Sequence, residues 1–147
     1  MSECMSVFPH PWKALRELDT VAVSWRDDLP PPVHAVTNGR NIIWMAKNLL
    51  QVERRCALQH ELIHIEHGHT CRQNSRIETQ VRQITAERLI PTRLLFRAWK
   101  AALSVEEWAE SLWVTPAVLH DRLDHLSPDE QRTVEQLKAS ARERGAD

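Results

Sequence analysis

Apolar and polar positions along the chain fall into two regimes. Residues 10–18, "HPWKALREL", read as a short helix. In "TVAVSWRDDLPPP", Val21 and Val23 alternate with smaller or polar neighbours, which predicts a strand from Thr20 to Trp25 stopped by three prolines. In "VHAVTNGRNIIWMA", the runs Val33–Val36 and Asn41–Met45 flank Asn38-Gly39, a pair suited to the positive-φ positions of a tight hairpin turn. The first 46 residues therefore predict a small antiparallel sheet with one helix against it.

From Leu49 the period lengthens. Val52, Cys56, His60, Ile63 and His64 share one helical stripe, and Leu58, Leu62 and Ile65 lie nearly opposite. A helix apolar on two sides belongs at the centre of its domain. Gly68 ends it, and "HTCRQNS" is a loop. A second helix runs from about Ser75 to Ile90 with Ile77, Val81, Ile84, Thr85 and Leu89 inward. Pro91 restarts the chain into "TRLLFRAWKAAL". Ser104 with Glu107, Thr115-Pro116, and Ser127-Pro128 with Glu130 open three more helices, and "ARERGAD" reads as a frayed tail. The expected fold is α+β and mostly helical: a small sheet with a hairpin, a central helix and a C-terminal helical segment. Residues 1–100 form the expected core, and 101–147 a helical extension packed on it.

Composition narrows the class. The 147 residues are ordinary in apolar and charged content, and formal net charge is −1. The charge is uneven: residues 51–100 carry nine Lys/Arg against five acids, and 101–147 carry five against ten. The basic middle favours an acidic or polar partner there. No export signal and no stretch of about 18 apolar residues is visible, so neither secretion nor a membrane partner is expected. Three cysteines, Cys4, Cys56 and Cys71, read as reduced thiols of a cytoplasmic protein.

The chemistry concentrates in residues 60–71, "HELIHIEHGHTC". His60 and His64, four apart on a helix, present both imidazoles to one ion. Glu61 stays beside that site and is placed to take a proton from an attacking water. His60-Glu61-Leu62-Ile63-His64 is thus the H-E-x-x-H pattern of zinc peptidases, and zinc is the expected cofactor. The plainer alternative is a polar helix whose histidines cap or hydrogen-bond. A catalytic zinc needs a third protein ligand. His67 shares the face of His60 but lies about 10 Å along the axis. His69 and Cys71 follow Gly68 and can fold back. Glu78 opens the next helix, where its simpler role is an i,i+4 pair with Arg82. Spacing alone leaves His69, Cys71 and Glu78 open.

The run "ERRCALQHELIHIEHG" followed by "ETQVRQITAERLIP" resembles the ImmA/IrrE metallopeptidases. There the motif helix is followed by one carrying a ligand Glu, an alanine-rich stretch and a Leu-Leu-x-Pro-like ending. Here Ala86 and Arg88-Leu89-Ile90-Pro91 match, while Val81, Ile84 and Thr85 depart from the usual small or aromatic residues. The resemblance covers residues 20–91 and selects Glu78 as third ligand. It implies a zincin-like core and an endopeptidase in which Glu61 passes a proton to the leaving amine. It also implies a narrow protein substrate: a helix-turn-helix transcriptional repressor of a phage, mobile element or stress regulon. With no Tyr in the chain, the oxyanion donor must be another group, with His34 and His120 as candidates. His67, His69 and Cys71 read as rim residues, with Cys71 or His69 the alternative fourth ligand, and Cys56 as a small buried hydrophobe.

"WAESLWVTPAVLHDRL" is similar to a helix-turn-helix at Ala109, Leu112, Val114, Thr115-Pro116 and Leu119, but Trp113 stands where glycine is usual and would be strained in a left-handed turn. Residues 104–126 hold five acids and one Arg, which argues against phosphate contact and direct DNA binding. Packing, or gripping a protein partner, is the expected use of this pair. Trp99, Trp108 and Trp113 read as its core. The rival function is a module that binds a repressor or other regulator without cutting it, its metal structural or vestigial.

Overall fold

The computed structural model describes residues 8–69, 74–97, 99 and 104–145. A short helix α1 (Pro11–Arg16) precedes strands β1 (Ala22–Arg26), β2 (Ala35–Thr37) and β3 (Ile42–Ala46). Six helices follow: α2 (Gln51–Glu66), α3 (Ser75–Leu89), α4 (Thr92–Arg97), α5 (Val105–Ser111), α6 (Pro116–Asp124) and α7 (Pro128–Gly145). The fold is α+β with helices in the majority, as the pattern predicts. Among the described residues, no helix is long and apolar enough to cross a membrane.

The sheet departs from expectation in one respect. Its order is β1-β3-β2, with β3 antiparallel to β2 but parallel to β1, so it is mixed rather than antiparallel. Residues 27–34 carry the chain from β1 to the far edge, and β3 then returns between the two. β3 is the most apolar strand and takes the centre, where Ile43 and Met45 are fully buried. The hairpin turn is also wider than the Asn38-Gly39 pair suggests. Gly39 alone in it takes positive φ (78°). Asn38 instead accepts bonds through Oδ1 from the N–H groups of Arg40, Asn41 and Ile42 at 2.9, 3.0 and 3.2 Å. A short amide side chain that satisfies three backbone donors stabilises the open loop without a positive φ of its own.

α2 is central, and its two stripes separate two cores. Leu58 and Leu62 pack with Ile43 and Met45, flanked by Trp12 and Leu15 of α1. Cys56 packs with Leu89, Ile90, Leu94, Leu95 and the α5–α6 residues Trp108, Ala109, Leu112 and Leu119. Each fully buried leucine or isoleucine here contributes about 1.5–3 kcal/mol. On α3, Val81, Thr85 and Leu89 are buried as predicted, whereas Ile77 and Ile84 are half-buried. Asn74 caps α3 by accepting from the N–H of Ile77. α4 follows Pro91, and most of "AWKAAL" lies outside the described residues.

The C-terminal helices are tied to the core by a buried ion pair. The Arg122 guanidinium bonds both Glu130 oxygens and donates through Nε to the Ile90 carbonyl at 2.7 Å. Glu130 also accepts from the Thr92 hydroxyl at 2.7 Å and the Ser127 N–H at 3.0 Å. One carboxylate thus joins the α3–α4 corner, α6 and the start of α7. The tail is more ordered than predicted: α7 continues to Gly145, because its Ala, Arg and Glu residues are good helix formers.

Candidate metal centre

One turn of α2 separates His60 from His64, and their ring centroids are 5.0 Å apart. α3 packs against α2 and presents Glu78 from its first turn to both rings. Glu78 Oε2 lies 3.0 Å from His60 Nε2, and Oε1 lies 2.9 Å from His64 Nε2. One donor atom from each residue lies within 4.8 Å of the others. Two imidazole nitrogens and a carboxylate oxygen converging this closely are a donor set that fits a borderline divalent ion such as zinc. Burial lowers the pKa of both histidines, holding them as the neutral imidazoles that metals require.

Glu61 is 7% exposed. Among the described residues its carboxyl has no hydrogen-bond or ion-pair partner. Burial, with the Glu78 carboxylate adding repulsion, pushes its pKa up to about 8. An unpartnered buried carboxyl facing a cavity has a cost that packing alone does not explain.

That cavity is a groove of about 1100 Å³. Its floor is α2, including Cys56, His60, Glu61 and His64. One wall is the segment 32–37 with the free edge of β2, and the other is the α5–α6 turn from Ala109 to Val118. Glu53, Glu106, Glu110 and Asp121 also line it. Cys56 is 6% exposed, and burial raises its thiol pKa, consistent with a structural residue.

The other expected residues fall as follows. His34 lines the groove, 3.6 Å from Glu53 Oε2. His120 is exposed and is absent from the groove lining. His69 is outside the three-donor cluster but touches it, with Nδ1 3.1 Å from His64 Nδ1; His67 stacks on His69 at 5.5 Å. Cys71 and Cys4 lie outside the described residues. The simple Glu78–Arg82 pair does not form, because Arg82 instead clasps Asp121 of α6 at 2.6 and 3.2 Å. Trp108 is buried and donates to the Leu95 carbonyl, with Trp99 against its ring at 4.9 Å. Trp113 is not a core residue. It takes the left-handed φ of 61°, which turns its ring outward, 45% exposed, over the Arg55 guanidinium and the edge of Phe8.

Two contributors were invisible in the sequence. Arg55, 5% exposed, donates to the carbonyls of Trp113 and Pro9 and so holds the α5–α6 turn against α2. Asp121 holds α6 to α3 through Arg82. Neither has a local pattern, since their partners lie 39 to 58 residues away in sequence.

No curated protein and no solved structure matches the chain. The sequence model of the peptidase M78 family, described as the IrrE N-terminal-like domain, matches residues 19–124, which take in the whole histidine–glutamate cluster and both walls of the groove. The chain therefore belongs to this metallopeptidase family.

Proposed function

We propose that the chain is a zinc-dependent endopeptidase that cuts a helix-turn-helix transcriptional repressor of a phage or mobile element. The observation that carries this reading is the convergence of His60, His64 and Glu78 beside the buried carboxyl of Glu61, unpartnered among the described residues, on the floor of a groove of about 1100 Å³. In this reading His60, His64 and Glu78 hold the metal, which when bound supplies a Lewis acid for water and for the scissile carbonyl. The positive charge of a metal held beside it would favour the ionised form of Glu61, which then accepts the proton of the attacking water and delivers it to the leaving amine. The free edge of β2 offers backbone donors and acceptors on which an extended substrate segment aligns. His34, at the rim of the same groove, is the oxyanion donor that this arrangement favours over His120.

The C-terminal extension has a role here other than reading DNA. The start of α6, where a recognition helix would meet bases, faces the groove instead, and Thr115–Val118 line it. A non-cutting binding module has no use for a buried, unpaired Glu61. The test is labelling of new N-termini after incubation of the zinc-loaded protein with a host or phage proteome. Cleavage within a helix-turn-helix repressor, absent with Glu61→Gln of equal zinc content and fold, is the expected result. Equal cutting by Glu61→Gln overturns the assignment.

A further inference from the structure

We infer that His69 is the positioning residue of this metal centre: it accepts the Nδ1 proton of His64 and thereby fixes the ring whose Nε2 faces the metal. The inference rests on the metal-centre reading above and adds to it a role for His69 that neither spacing nor the three-donor cluster assigns.

The local backbone explains how His69 arrives there. α2 ends with Gly68 at φ 69°, a left-handed position that glycine takes without steric cost. The N–H of Gly68 donates to the Ile65 carbonyl at 3.0 Å, and the N–H of His69 donates to the His64 carbonyl at 2.9 Å. Those two bonds form a Schellman motif, which brings the side chain two residues past the helix cap back onto the helix's last turn. In most such motifs that contact is hydrophobic. Here it is His69 on His64, with Nδ1 to Nδ1 at 3.1 Å and ring centroids 5.2 Å apart. His67 stacks on the outer face of His69 and limits its rotation.

The protons determine what this contact does. A hydrogen bond between two Nδ1 atoms needs one donor and one acceptor. An imidazole whose Nε2 is given to a metal keeps its single proton on Nδ1, so His64 must donate and His69 must accept. Metal-ligating histidines commonly bond through their second nitrogen in this way, to a carboxylate, a carbonyl or water. His69 supplies that acceptor without adding negative charge. In the metal-free chain the same contact is satisfied with the protons reversed: His64 donates through Nε2 to Glu78, and His69 donates through Nδ1.

The test is zinc affinity by competition with a chromophoric chelator, for the wild type, His69→Leu and His69→Asn. Leucine keeps the hydrophobic form of the helix cap but cannot accept. Asparagine places a neutral acceptor, Oδ1, at the same distance along the side chain as Nδ1. His69→Leu is expected to bind zinc about 10–100-fold more weakly and His69→Asn to recover most of the loss. In the zinc-loaded wild type, nitrogen NMR should show Nδ1 of His64 protonated and Nδ1 of His69 unprotonated. Wild-type affinity in His69→Leu, or a protonated His69 Nδ1, overturns the inference while leaving the metal centre standing. A wild type that takes up no zinc overturns both.

Discussion

Replacing Glu130 with alanine removes the acceptor for both Arg122 terminal nitrogens, the Thr92 hydroxyl and the Ser127 N–H. Arg122 remains, its side chain 4% exposed, with the Ile90 carbonyl as its surviving partner. An exposed ion pair is worth about 0–1 kcal/mol, but removing one member of a buried pair strands a charge and costs about 3–5 kcal/mol. For a chain of this size each kcal/mol lowers Tm by roughly 2–4 °C, so Glu130→Ala should melt about 6–20 °C below the wild type. Arg122→Met with Glu130→Leu, which strands no charge, should lose less than either single change. The pair also sets an acid limb. Arg122, with help from Ser127 and Thr92, holds the Glu130 carboxyl down at about 2, well below the unfolded value near 4.3. The unfolded chain therefore takes up the proton first. The stability from this group is present in full above about pH 4.3 and is lost as pH falls through about 2. Urea unfolding followed by circular dichroism, from pH 7 down to 3, measures both effects. A Glu130→Ala chain within about 1 kcal/mol of the wild type at pH 7 would show that the C-terminal helices are not held by this pair.

Three further outcomes follow from the same geometry. Trp113→Gly and Trp113→Ala both delete the ring, but only glycine relieves the φ of 61°, so the glycine variant should be the more stable by about 1 kcal/mol in urea unfolding. Cys56, buried and with its thiol pKa raised, should resist a thiol reagent at neutral pH in the folded chain and react once unfolded, as read by mass spectrometry of its peptide. Arg88→Ala breaks the exposed bond to Glu66 and should change stability by less than about 1 kcal/mol in the same urea assay.

How legible the fold was depends on the range of each interaction. The two stripes of α2 and the caps at Ser104, Thr115 and Ser127 are local periodicities and side-chain bonds, so the residue order carries them. The i,i+4 placement of His60 and His64 is local for the same reason. Glu78 needed the resemblance, because whether it meets Arg82 or the two histidines depends on how α3 packs on α2. The direction of β1 against β3 was missed because it depends on a chain crossing that no local pattern encodes. Arg55, Asp121 and the Arg122–Glu130 pair are long-range or buried polar contacts and gave no signal. His69 was visible as a histidine near the site, but its use depends on the Gly68 turn and a 3.1 Å contact that spacing cannot supply.

The most direct test is the zinc content of the purified chain beside Glu78→Ala and Cys71→Ser. The three-ligand centre predicts about one zinc per wild-type chain, lost in Glu78→Ala and kept in Cys71→Ser. Zinc kept in Glu78→Ala and lost in Cys71→Ser would place the metal in the loop after α2 and contradict the account.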